Sequence, residues 1–183
     1  MNKDLYSDII KANHQFSLDS DLWKSIQQVL ACTDSEAQES AKFHCNLLSF
    51  YGLCRANDWI MFPYAIWLEK LSKAGLIEIE TGWIYASKVD IANLFGFEDK
   101  FYHLNYIYNY DNLMNGNEKI KDKGIQIKVY SNSNKENKSG KGYHFMGGYY
   151  LDELYLDDSG NRGHRVRARD VVPKNKFLWG LIV

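Results

Sequence analysis

Three residue types that together break amide bonds occur in one order along this chain: Cys45, then His144, then the carboxylate pair Asp157-Asp158. A thiol attacks a carbonyl as its thiolate, so it needs a lowered pKa, supplied by a helix N-terminus and a neighbouring imidazolium. The imidazole in turn needs a group on its second ring nitrogen to fix its tautomer and aim it. Each residue also has a plainer reading. Free cysteines are among the most buried residues, a strand histidine often bonds to backbone, and Asp-Asp-Ser-Gly is ordinary turn composition. Cys32 and Cys54 read as structural. The five histidines, at 14, 44, 103, 144 and 164, include no pair at i, i+4, and His44-Cys45 are adjacent and diverge on a helix, so no metal site is expected. Neither a phosphate-cradling glycine loop nor a serine nucleophile elbow is present, and no cofactor is called for.

The elements that must position these residues fall into two kinds. In Asp19–Leu30 the apolar Leu22, Trp23, Ile26, Val29 and Leu30 recur at three and four, predicting a helix. Asp34 or Ser35 caps the next helix, which carries Phe43, Leu47, Leu48, Tyr51 and Cys54 on its buried side. Its sequence, SEAQESAKFHCNLLSF, has neither Gly nor Pro to interrupt it, which would leave Cys45 in mid-helix. Pro63 opens a helix over PYAIWLEKLSKAG that ends at Gly75. LIEIETGWIYA alternates around Thr-Gly and predicts a short hairpin, and SKVDIANLFGF a further short helix. After about residue 100 the periods change. GIQIKVYS alternates as a strand, GYHFMGGYYLDELYLDDSG as a hairpin, and FLWGLIV as a closing buried strand. The segment SNSNKENKSGKG reads as a surface loop, with the lysines of 115–141 serving solvation. Helices first and an antiparallel sheet second predict an α+β fold in one domain over 1–183, mainly helical over 1–100 and mainly β over 101–183.

Register makes the third residue a question of parity. A two-residue turn at Asp152-Glu153 pairs Leu151 with Leu154, so Asp157 faces Gly148 and shares a side with His144, while Asp158 points away. A one-residue bulge at Gly147-Gly148 reverses that choice. Glycines inside a strand mark either such a bulge or a close backbone approach.

Two further groups could bind rather than react. Arg165, Arg167 and Arg169 fall on one side if NRGHRVRARDVV is extended, which makes either a solvated face or a patch for phosphate or carboxylate. Phe101, Tyr102, Tyr106, Tyr108 and Tyr110 line a groove or furnish a sheet edge.

Composition limits the classes. The chain has 183 residues, 45% hydrophobic and 15% aromatic, enough for a core without metal or disulfide staples. Twenty-two basic against 23 acidic residues give a net charge of −1, no global case for a nucleic-acid partner. No apolar run spans a bilayer, and no membrane partner is expected. An N-terminus without a signal-like stretch and three cysteines without paired spacing point to free thiols in the cytoplasm.

The order of parts resembles the papain-like cysteine peptidase superfamily, and most closely its bacterial branch that includes bacteriocin-leader peptidases. The resemblance is carried by a Cys in an N-terminal helix (FHCNLLSFYGLC), a strand KGIQIKVY, a strand opening with His (GYHFMGGYY), a partner ending in Asp (LYLDDSG) and the closing FLWGLIV. It is good over about 119–183 and weaker over 38–75. It implies a helical half packed on an antiparallel sheet, with Cys45 as nucleophile, His144 as base and Asp157 or Asp158 as third member. Gln38 would be the oxyanion donor. The implied reaction is hydrolysis of a peptide, or of the peptide stem of peptidoglycan, by acyl transfer, the gene being a bacterial or phage accessory one. The alternative is a member without catalysis that binds a protein or ligand, since sites are grafted on folds.

Overall fold

The computed structural model describes residues 21–41, 44–81, 83–116, 123–131, 142–150, 152–157 and 165–182. The helical half begins with α1 (Asp21–Leu30), α2 (Asp34–Ala41), α3 (Cys45–Ala56) and α4 (Tyr64–Lys73). The hairpin β1 (Ile77–Glu78) and β2 (Trp83–Ile84) follows, then α5 (Lys88–Phe95) and α6 (Glu98–Phe101). Local signals explain most of these boundaries. Ser87 closes a capping box with Asp90 at the start of α5, and Gly96 ends that helix at φ 74°, a conformation that costs glycine nothing.

The junction of α2 and α3 departs from the expected continuous helix. His44 leaves the helical path at φ −81°, ψ 1°, and α3 starts at the next residue. No helix breaker causes this. The His44 side chain is instead buried and tied to distant backbone at Ile79, so long-range hydrogen bonds outweigh local helix propensity. From there α3 is apolar on almost every side: Leu47, Leu48, Phe50, Tyr51, Leu53 and Cys54 are all buried. A helix of that kind needs partners all round, and α3 runs between the other helices and the sheet.

The β half adds β3 (Asn105–Ile107), α7 (Tyr110–Asn115), β4 (Gly124–Ser131), β5 (Gly142–Tyr150), β6 (Leu154–Asp157), β7 (Arg165–Arg167), α8 (Ala168–Val171) and β8 (Phe177–Ile182). These strands form one antiparallel sheet in the order β3-β8-β4-β5-β6-β7. The fold is therefore α+β, helical first and sheet second. Among the described residues no helix is long and apolar enough to cross a membrane.

Alternation divides the sheet into two faces. Ile125, Ile127, Val129, Met146, Leu154 and Leu156 meet α7 and α8 in one core. Gln126, Lys128, Phe145 and Gly147 pair across β4 and β5 on the other face, the one on which α3 lies. Gly124 shows how closely α3 approaches: a β-carbon there would stand 2.5 Å from that of Ala56.

The hairpin register differs by one residue from the expected one. Tyr150 pairs with Leu154, leaving three residues in the turn, and Asp157 faces Gly147 rather than Gly148. Gly147-Gly148 holds no bulge. It is the close-approach case: a β-carbon on Gly148 would collide with the Tyr155 carbonyl oxygen.

Candidate functional site

Breaking the helix at His44 makes Cys45 the first residue of α3, at its exposed amides rather than in mid-helix. The Cys45 side chain is partly exposed. Its thiol is nonetheless pushed above the ordinary cysteine value. Burial is the main cause, only partly offset by the Phe145 backbone N–H and the first amides of α3. Phe145 belongs to β5, a hundred residues away in sequence, so the fold does bring the cysteine turn to the histidine strand.

His144 itself pairs with Val129, which places it by alternation on the side of Met146 and the α7–α8 core, not on the α3 side. The register also corrects the expected acid. Asp157 pairs with Gly147, not with Gly148 as expected, and its side chain lies outside the description; Asp158 lies outside the described residues altogether. Gln38 sits on the exposed side of α2.

The amide that does reach the cysteine turn is Gln126, which sequence reasoning missed. It is fully buried on β4, and its Nε2 donates to Ser49 Oγ at 2.7 Å, Asn46 O at 3.1 Å and Asn46 Oδ1 at 3.2 Å. Ser49 Oγ donates onward to Cys45 O at 2.7 Å. One side chain of the sheet thus pins the first turn of the central helix. The signal was its place in GIQIKVYS, a polar residue facing opposite to Ile125, Ile127 and Val129.

His44 is structural. Its Nε2–H donates to Ile79 O at 2.8 Å, Nδ1 accepts from Tyr64 OH at 3.1 Å, and Ser40 Oγ donates to the same carbonyl at 2.6 Å. Full burial pulls its pKa down to about 4, against the opposing pull of the Ile79 carbonyl, so it is neutral near pH 7. Among the described residues no group of three His, Cys, Asp or Glu side chains is placed to hold a metal ion.

The arginine patch does not assemble as expected, because the extended segment ends at Arg167 and Arg169 lies in α8. Arg169 Nη2 donates to Met114 O at 2.9 Å and Asn115 Oδ1 at 3.1 Å, and Arg167 Nε meets Glu153 at 3.0 Å. The Arg165 side chain lies outside the description. The aromatic run serves the edge strand β3, where Tyr106 stacks on Tyr108 at 6.1 Å and turns its edge to Trp179 at 5.2 Å.

Beside the cysteine turn, on the α3 face, two lysines stand among aromatic rings. Lys128 Nζ lies 3.9 Å from the ring centre of Tyr143, 5.4 Å from Phe145 and 6.0 Å from Trp179. Lys88, the first residue of α5, lies 5.4 Å from Phe50 and 5.5 Å from Trp179. Its pKa falls to about 8, first through burial and then through repulsion from Lys128, with Cys54 opposing. Lys128 is therefore not a solvating loop lysine, as its neighbourhood in sequence suggested. A cavity of about 230 Å³ opens at Lys88, lined also by Asn46, Phe50, Ser87 and Ile91.

No protein-family model, no curated protein and no solved structure matches this chain.

Proposed function

We propose that this chain is a binding protein without thiol catalysis, which keeps a papain-like order of parts and uses the cleft between α3, α5 and the sheet. The observation that carries the reading is the group of rings on the α3 face of the sheet: Phe145 and Trp179 meet at 6.0 Å, with Tyr106 and Tyr143 beside them still 44% and 45% exposed. Partly open aromatic rings grouped on one face are the usual furniture of a binding surface. The thiol supports it from the other side, since a cysteine whose pKa is raised by burial is a poor nucleophile near pH 7.

A second reading, hydrolysis of an amide bond in a peptide or peptidoglycan stem, is favoured by one observation: Cys45 opens α3 at its exposed amides, against the N–H of Phe145. In that reading the strand must shift so that His144, on the opposite face of the sheet here, reaches the α3 side and takes the thiol proton; the thiolate attacks the carbonyl, and the imidazolium protonates the leaving amine. Water then cleaves the thioester.

Iodoacetamide labelling followed by mass spectrometry separates the two. Binding predicts that Cys45 in the native protein labels more slowly at pH 7 than an ordinary exposed cysteine, rises steadily with pH without a plateau below the ordinary thiol range, and is indifferent to His144→Ala. Rapid labelling below pH 7 that slows in His144→Ala overturns this reading and establishes the thiolate–imidazolium pair that hydrolysis requires.

A further inference from the structure

Among the described residues, carboxylates meet Lys73, Arg167 and Lys174. Lys88 and Lys128, which are less exposed than those three, meet none; their neighbours are rings, each other and, for Lys88, the buried Cys54 thiol. Two ammonium groups drawn out of water and toward one another are costly, because each loses hydration and repels its neighbour. Aromatic faces recover part of that cost at such distances. They cannot neutralise the charge. Asn46, on the same cavity, adds a donor: its Oδ1 is taken by Gln126, and its Nδ2 meets no acceptor among the described residues. Positive charge, a spare amide donor and an aromatic wall at Phe50 therefore converge where no acidic group among the described residues forms an ion pair with them.

We infer that the cavity at Lys88 is an anion site that takes a compact carboxylate or phosphate group, held by Lys88 and the Asn46 amide, favoured by the field of Lys128 and walled by the Phe50 ring. The inference deepens the reading of the cleft as a binding surface and rests on it. A space of about 230 Å³ admits one acidic head group with a short stem, not a drug-sized ligand. The anion neutralises the mutual repulsion of the lysines, so binding draws a proton onto Lys88 when it occurs near pH 8.

The test is a titration of the full chain, with reductively ¹³C-methylated lysines, by inorganic phosphate in one arm and acetate in the other. It is run at pH 7 and low ionic strength and read by NMR at the assigned Lys88 and Lys128 resonances. Saturable shifts at both lysines, weakened tenfold or more in Lys128→Gln and in Asn46→Ala and unchanged in Lys73→Gln, are expected; the tighter arm identifies the head group. Absence of saturable shifts up to 20 mM of either anion overturns the site, as do shifts that Lys73→Gln removes equally. The Lys88 titration curve of the free protein provides a check that needs no ligand: Lys128→Gln must raise the Lys88 pKa. The labelling of Cys45 reads a different group. A failed titration with slow labelling rejects the anion and leaves the binding reading standing, whereas rapid His144-dependent labelling rejects that reading and turns any anion bound here into substrate.

Discussion

Acidification acts on this fold through one buried imidazole, and the size of the effect follows from its surroundings. His44 has a folded-state pKa of about 4, against an ordinary value of 6.5, because Ile79, Tyr64 and Ser40 enclose it without a carboxylate. With the folded value depressed, the unfolded chain binds the proton first. Stability is therefore full above pH 6.5, falls as the pH drops through the interval from 6.5 to about 4, and stops falling from this cause below it. At 1.36 kcal/mol per unit, the integrated loss between pH 7.5 and 4.5 is about 2.5 kcal/mol. The measurement is urea unfolding at both pH values and constant ionic strength, for the native protein and for His44→Gln, which keeps a donor for Ile79 but does not titrate. The variant starts less stable and loses about 2.5 kcal/mol less on acidification. Exposed carboxylates such as Glu36 and Asp90, whose pKa values are lowered by hydrogen bonds to Thr33 and Ser87, are common to both proteins and cancel in the difference. Parallel losses in the two proteins would show that His44 is not buried neutral, and the account of the α2–α3 break would fail with it.

Two substitutions test the frame that holds the cleft. Gly148→Ala puts a methyl group into the Tyr155 carbonyl, a backbone contact that cannot swing aside, so the urea midpoint should fall by the equivalent of about 2–3 kcal/mol; a neutral result would refute the close packing of β5 on β6. Ser87→Ala removes the capping box at the start of α5 and should cost about 1 kcal/mol in the same assay, with a change in the Lys88 resonance because that residue begins the helix; an unchanged spectrum would count against the cap as what positions Lys88.

The central amide deserves a third. Gln126→Leu keeps the volume on β4 but leaves the first turn of α3 without its cross-layer donor. Hydrogen exchange at Leu48 and Ser49, the first amides of α3 with helical acceptors, should accelerate more than at its C-terminal turn, and uniform acceleration would instead indicate global loosening.

Much of this structure is readable residue by residue, and what is readable is local. Ser87 and Gly96 bracket α5, the alternation of GIQIKVYS is a strand with two unlike faces, and FLWGLIV closes the sheet as β8. These succeed because capping, left-handed turns and side-chain alternation depend on residues within a few positions of one another. The α+β order follows from the same signals in sequence.

The site depended on contacts that no such window contains. His44 breaks an uninterrupted helical sequence because its ring finds Ile79 and Tyr64, thirty-five and twenty residues away. The hairpin turns through three residues rather than two, and that single step pairs Asp157 with Gly147 rather than Gly148. Arg169 bonds the end of α7 instead of joining a patch. Lys128 looks like any solvated lysine until β4 is laid beside β8 and Trp179 comes beneath it. Composition and periodicity settle which elements form, because those preferences are short-ranged; which side chains meet is decided by register and packing, where a displacement of one residue changes the chemistry of the whole face.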